Sequence, residues 1–465
     1  MEVKDIGQDR ISTTWVVTSK KDKDDKVVVK ARLVARGYEE LKEIRSDSPT
    51  CQKENIRMLL SLAVAKEWTV NSLDVKAAFL QGKAIERNIY LMPPKEFRKD
   101  HVLWKLNKVV YGLCDASRSW YLRVAEVLTR LGMQVSQYDK SVFRYGHEQI
   151  KGIILIHVDD ILYFGSDKFL KSVVQPFKDT FQISRDESEV FKYVGIQIKQ
   201  NTYNLEISQK QYLDTMKLDL LPSEATADKY RFATDAEKKI FRQGVGQLGW
   251  ISSISRPEAS FMYCHLSTLQ SKPQVVDFLK YKKAVKDLKS SESIIKIEKI
   301  NFSNLEMSIF CDASFANLAG GASQLGYIIF LHDKQGCSVP VAWSSKKCKR
   351  VARSTLTAET LAAVEAVDAA VLLKKMIEEV VMYEMPAITV YVDNKSLHDT
   401  TKTSNVLADK RLMVDMAALR EMIDRKEIII KWISTQLQLA DVLTKSGVNK
   451  SKLTDVLSNG RLDFR

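Results

Sequence analysis

The sequence predicts a mixed chain in two parts, an α+β layer followed by an α/β layer, and three observations carry that prediction. Strand-like and helix-like segments run in the order βαββαβ over the first 165 or so residues. A carboxylate pair, Asp159 and Asp160, then interrupts two apolar runs, Ile153 to Ile156 and Ile161 to Phe164. Beyond residues 296–304, which have the loose polarity of a connector, strands that end in acids begin again.

Taken in order, the segment starting Trp15-Val-Val-Thr-Ser-Lys and that starting Lys26-Val-Val-Val-Lys alternate basic and apolar residues, with Asp24-Asp25 as the turn of a hairpin. Residues 54–67 have helical apolar spacing. A strand carrying Asp74 follows, then Asn88-Ile-Tyr-Leu-Met before Pro93-Pro94, and a helix over 117–131. Strands at 150–156 and 161–164 place Asp159 and Asp160 at a hairpin tip. Residues 209–221, 235–253 and 275–290 read as helices, the last with a lysine-rich face that is either solvated or a groove tracking a phosphate backbone. In the second part, residues 307–312, 325–331 and 339–344 read as strands, 354–381 as a long helix, and 387–393 as a strand. Residues 407–424 complete the pattern as a helix, 427–433 as a strand and 438–445 as a helix.

Charged carboxylates flanked by apolar strand residues lose water at a cost, and a hard cation offsets it. Magnesium takes a few carboxylates together with phosphate oxygens, so Asp74, Asp159 and Asp160 suit two ions that clamp a phosphoryl transfer. A simple hairpin turn also tolerates an Asp-Asp pair. Asp312, Glu359, Asp393 and Asp441 sit at strand ends or on inward helix turns; singly each reads as a cap or turn residue, but the four together suit a second metal site.

At 465 residues, 45% hydrophobic and with only nine prolines, the chain is globular and too long for a single core. The net charge of +13 favours an anionic partner over a merely solubilising surface. Six cysteines and six histidines lack metal-site spacing, which argues against zinc and for a reduced, intracellular chain. No stretch reaches the roughly 18 apolar residues of a membrane span.

Several blocks together resemble a copia-type reverse transcriptase. They are Lys30-Ala-Arg-Leu-Val-Ala-Arg-Gly, Leu73-Asp-Val-Lys-Ala-Ala-Phe-Leu-Gln-Gly, Val110-Tyr-Gly-Leu and His157-Val-Asp-Asp. Tyr193-Val-Gly-Ile is similar to the primer-grip hairpin, and Gly246-Gln-Leu-Gly-Trp to the connection block. Cys311-Asp-Ala-Ser, Leu356-Thr-Ala-Glu, Tyr391-Val-Asp-Asn and Leu439-Ala-Asp-Val-Leu-Thr-Lys resemble the ribonuclease H of the same family.

The resemblance implies a right-hand-like polymerase, with fingers and palm over 1–200 and thumb or connection over 201–300. A ribonuclease H-like domain over 301–450 and a tail over 451–465 would follow. It implies metal-binding, catalytic roles for Asp74, Asp159, Asp160, Asp312, Glu359, Asp393 and Asp441, with two Mg2+ per site, or Mn2+ in their place. Lys30 or Arg32 would hold the triphosphate, Phe79 would gate the sugar, and Tyr111 and Gly112 would lie beneath the nucleotide. His157, Tyr193 and Gly195 would contact the primer.

The implied partners are an RNA template, a DNA primer, the RNA–DNA hybrid, deoxynucleoside triphosphates, and other Pol and capsid components. The implied setting is a cytoplasmic virus-like particle, with the nucleus as an alternative. A remnant that only binds nucleic acid is the rival expectation. His157 stands where a tyrosine is usual, Cys114-Asp115-Ala-Ser117 departs from the commoner Lys-Gln-Ala-Pro, and no clear His-loop precedes Asp441. The family's fingers begin before the Trp15 hairpin, so the chain is expected to be an N-terminally truncated piece.

Overall fold

The computed structural model describes residues 1–21, 26–40, 43–218, 228–291, 293–403 and 409–463. The chain divides into two compact units, Met1–Cys51 with Asn71–Glu187, and Gln52–Val70 with Ser188–Arg465.

In the first unit, Thr13–Lys21 and Val27–Ala35 pair as an antiparallel ribbon, as the alternating pattern predicts. Its proposed turn at Asp24-Asp25 lies outside the described residues. The larger element is a six-stranded sheet in the order Ile183–Ser188, Asn71–Val75, Asp160–Gly165, Gly152–His157, Val142–Tyr145, Gln134–Val135. Asn71–Val75 runs antiparallel to Asp160–Gly165, which forms a hairpin with Gly152–His157. The helix Ala116–Arg130 buries Trp120, Val124 and Val127 against Leu73, Val75, Ile154 and Ile156. That burial removes every fourth or third helix residue from water and orients the sheet edge that carries the acids.

In the second unit, Val190–Tyr193, Ile196–Gln200, Leu205–Ser208 and Ile295–Ile297 form a small antiparallel sheet. The stretch expected to be a connector thus begins in a strand, because Ile295 and Ile297 supply alternate buried positions. Helices Asp235–Ile254, Ser260–Ser267 and Val275–Ser290 share a core built on Phe241, Leu248, Phe278 and Tyr281. A capping box, in which Thr234 and Glu237 satisfy each other's backbone N–H groups, starts the first of these helices.

A five-stranded sheet closes the unit, in the order Ser338–Lys347, Ala322–His332, Glu306–Leu318, Ile388–Val392, Ile428–Trp432. Its first three strands are antiparallel and its last three parallel. The helix Thr355–Val381 opens on a Ser354 cap and lays Ala358, Ala362, Ala366 and Ala370 on the sheet, where small residues allow close approach. The mixed sheets and helices fit the predicted combination of a right-hand-like polymerase and a ribonuclease H-like domain.

Three expectations change. The predicted helix at 209–221 is shorter, Lys210–Thr215, because Met216 turns to extended backbone; residues 219–221 lie outside the described residues. That at 407–424 is described as Lys410–Asp424 and opens on an Asp409 cap. That at 438–445 is a short 3-10 turn, Leu439–Leu443, held by the Gln438 side chain at its start. Among the described residues no helix is long and apolar enough to cross a membrane.

Candidate active sites

The first site lies at the tip of the central hairpin of the first unit. Asp160 pairs directly with Asp74 across the strands, so both carboxylates leave the sheet on one face. Val158 turns the hairpin at φ +61°, a left-handed conformation that a β-branched residue avoids unless its surroundings impose it. The Trp120 indole imposes it in part by donating to the Val158 carbonyl at 2.6 Å. The Val75 N–H donates to the Asp159 carbonyl at 3.2 Å, which brings Asp159 beside Asp74.

The Ser184 hydroxyl donates to the Asp74 carboxylate, and Arg185 lies 3.8 Å from Asp160. Both come from the Ile183–Ser188 strand, whose run Ile-Ser-Arg-Asp-Glu-Ser carries no apolar alternation and so escapes a reading by pattern.

Around these acids the ribbon of Thr13–Lys21 and Val27–Ala35 and the 111–112 segment converge. Burial, then the nearby Asp159, and more weakly Asp74, push the Tyr111 phenol above its ordinary pKa, while Arg32 opposes them. The Arg32 guanidinium stands 5.8 Å from the Tyr111 ring centre, and the Phe79 ring 4.9 Å from it. Lys30 lies two residues earlier on the same ribbon face as Arg32 and is exposed.

Gly112 adopts φ +94°, and a Cβ there would stand 2.0 Å from the Ala35 carbonyl oxygen. The Ala35 N–H donates to the Tyr111 carbonyl at 2.8 Å, which fastens this segment to the ribbon's end. The departure at Asp115 has a physical reason: Arg87 donates to Asp115 at 2.6 Å and to Glu40 at 2.7 Å.

His157 directly faces Asp160 in the hairpin, and burial holds its imidazole below the usual value. Tyr193 and Gly195 belong to the second unit. Tyr193 is fully buried, and Val194-Gly195, both with positive φ, make the two-residue turn of their hairpin.

The second site is in the second unit. Asp312 comes from Glu306–Leu318, Glu359 from the first turns of Thr355–Val381, and Asp393 from the residue after Ile388–Val392. Each of these three offers an oxygen within 4.8 Å of the other two, the one such acidic group among the described residues. Burial raises the Asp312 carboxyl above its usual range although Lys445 and Thr444 oppose it, and burial reinforced by Asp312 and Asp393 raises Glu359 further. Glu359 is 5% exposed, and its buried Oε2 has no hydrogen-bond partner.

Asp441 is not one of the three. Its Oδ1 receives the Lys445 ammonium at 2.6 Å, and the same ammonium lies 3.3 Å from Asp312 Oδ1. Burial opposes the charge on Lys445, but Asp312 and Asp441 outweigh it and raise its pKa. The Thr444 hydroxyl donates to the other Asp312 oxygen, and Thr435 donates to Asp393 at 2.8 Å. Sequence reasoning quoted Thr444 and Lys445 inside the final motif but gave neither a role; the i, i+4 spacing of Asp441 and Lys445 was the available signal. In the basic run after Ser344, Lys346 pairs with Glu365 at 2.7 Å and Arg350 with Asp415 at 2.9 Å.

The family model described as reverse transcriptase (RNA-dependent DNA polymerase) matches residues 3–226. The chain is 28% identical over 462 residues to the retrovirus-related Pol polyprotein from transposon RE1 of Arabidopsis thaliana. It is also 28% identical over 470 residues to the corresponding polyprotein from transposon TNT 1-94 of Nicotiana tabacum. Both alignments cover 94% of this chain but only 30% and 35% of the relatives, so the chain spans about a third of their length. A solved foamy viral protease-reverse transcriptase, in complex with RNA/DNA hybrid, superposes with a TM-score of 0.53 at 12% identity. That superposition covers 96% of this chain and 53% of the viral one, and it bears on the fold. Residues 3–226, just under half of the chain, thus match the reverse transcriptase family, and nearly the whole chain is similar to the Pol polyproteins of these plant transposons.

Proposed function

We propose that the chain is an RNA-directed DNA polymerase joined to a ribonuclease H, copying a retrotransposon RNA and degrading the RNA strand of the hybrid. The observation that carries this reading is the convergence of Asp74, Asp159 and Asp160 with Tyr111, Phe79 and Arg32 around one hairpin tip.

Oxygen-only donors at both sites suit Mg2+, with Mn2+ as the alternative. Among the described residues Asp312, Glu359 and Asp393 stand within reach of one ion, Asp74, Asp159 and Asp160 are not so gathered, and the unpartnered Glu359 Oε2 is a ready ligand. Two such ions per site would lower the pKa of the attacking hydroxyl or water and neutralise the leaving oxygen. At the polymerase site Asp74 and Asp159 would hold them, with Asp160 in support. At the nuclease site the set is Asp312, Glu359, Asp393 and Asp441.

The remaining roles fall to the chain's own side chains. Arg32, beside Tyr111, is the better placed cation for a triphosphate, and Lys30 extends the same charged face. Phe79 against Tyr111 gives a wall that would exclude a 2′-hydroxyl, and Gly112 permits a flat floor. His157 would position the primer end. Tyr193 would support the primer-grip hairpin from inside, with the Gly195 turn as its contact surface. The domain assignment is fingers and palm over 1–200, thumb or connection over 201–300, the nuclease over 301–450 and a tail over 451–465.

The substrates are then an RNA template, a DNA primer and deoxynucleoside triphosphates, in a particle built with the element's other Pol and capsid components. The test is primer extension on an RNA template with Mg2+. Incorporation by the unchanged chain, lost in Asp159→Asn, supports the reading. Binding of the template–primer without incorporation would instead favour a catalytically silent remnant.

A further inference from the structure

Four carboxylates face the second site, yet they divide three to one. Asp312, Glu359 and Asp393 point at a common space, whereas Asp441 is turned to Lys445. The Lys445 ammonium bridges Asp441 at 2.6 Å and Asp312 at 3.3 Å, so Asp312 is shared between the open cluster and the lysine. Asp312 is 1% exposed and Asp441 9%, whereas a third of the Lys445 side chain reaches solvent. A cation held by one end of a flexible four-carbon stem, open to water on one side, can swing away without unpacking the core.

We propose that the Lys445 ammonium is a built-in occupant of the second cation position of this site. A first divalent ion fills the space between Asp312, Glu359 and Asp393; a second enters only by displacing Lys445 from Asp441 and Asp312. The lysine thus keeps the four acids from repelling one another before ions arrive, and it sets the second ion's affinity below the first. A plain structural ion pair is the competing account, and it predicts effects on stability without effects on ion count.

The inference rests on the nuclease reading, and the experiment separates the two. The full chain carrying Asp74→Asn and Asp159→Asn, which silences ions at the polymerase site, is titrated with Mn2+ by calorimetry and electron paramagnetic resonance. One tight and one weak ion are expected. Adding Lys445→Met should tighten the second by about tenfold, the size of one lost competing charge contact, while Lys445→Arg should keep the weak second site. An unchanged second affinity in Lys445→Met, with the first ion still bound, overturns the role of Lys445 and leaves the nuclease reading standing.

No ion sensitive to Asp393→Asn overturns both. If Lys445→Met does not fold, acetylation of Lys445 in the otherwise unaltered background, read by mass spectrometry, decides the matter. Reactivity should rise only at Mn2+ concentrations that fill the second site, and reactivity independent of Mn2+ refutes displacement.

Discussion

Asp74 and Asp160 stand opposite each other on adjacent strands, a like-charge pair that costs about 0.5 kcal/mol before any cation is present. Asp74→Asn should therefore abolish DNA synthesis while leaving the ion-free protein as stable or slightly more so, measured by its Tm. The carboxyls of Asp312 and Glu359 make a second case. Burial raises both, so the folded state holds protons that the unfolded chain releases above the ordinary carboxylate range. The sign follows: without divalent ions, stability falls as pH rises past that range. With Mg2+ bound the acids stay ionised at no such cost. The Mg2+-induced rise in Tm should widen between about pH 6 and about pH 8, and a flat difference would count against ion binding there.

These acids were legible in sequence because each interrupts an apolar run or ends a strand. Ser184 and Arg185 were not, because an isolated basic or hydroxyl residue in a polar stretch signals nothing until the chain is folded around it, and Lys445 was marked only by its i, i+4 spacing from Asp441.

At the scale of elements, the helix Lys53–Ala65 was visible from its period, but not its destination. It packs in the second unit, where fully buried Arg57 donates to the Val341 carbonyl at 2.8 and 3.0 Å and to the Ile254 carbonyl at 3.1 Å. Its guanidinium also stacks 4.0 Å over Trp343, and burial pulls its pKa down to about 10. Arg57→Met would strand those carbonyls and should cost about 3 kcal/mol, read as a lower denaturation midpoint. Periodicity names a buried helix, but a cation in its apolar face reads as an error until the Val341 and Ile254 carbonyls around it are found.

The Tyr111–Gly112 segment makes the complementary point, since a short motif without periodicity proves to be a fastened corner. Gly112→Ala meets both a positive φ and the Ala35 oxygen, and should cost about 2 kcal/mol or more and depress synthesis. The edge strand Ile183–Ser188 and the turn Leu439–Leu443 stayed hidden or misread because tertiary pairing, not local propensity, decides them.

For the molecule as a whole, the compact units divide after Glu187 and place residues 52–70 with the second, a partition that the restart of acid-ended strands beyond residue 304 does not mark. Local patterns say what an element is, and contacts distant in sequence decide what it joins. The two acidic sites stand on different sheets in different units, and the net charge of +13 suits a shared polyanionic substrate. On the proposed function both activities should weaken together as salt rises, since each would need cationic contacts to a duplex backbone.

The chemistry, by contrast, should separate, and the decisive measurement is a paired assay of DNA synthesis and RNA-strand degradation on the same preparations of Asp74→Asn and Asp393→Asn. Asparagine keeps the shape of each side chain and removes its charge, so the losses report ion binding rather than a cavity. The expected result is reciprocal: Asp393→Asn abolishes degradation with synthesis near normal, and Asp74→Asn abolishes synthesis with degradation near normal. Synthesis or degradation that survives substitution of its own aspartate, in protein shown to be folded, would contradict the account.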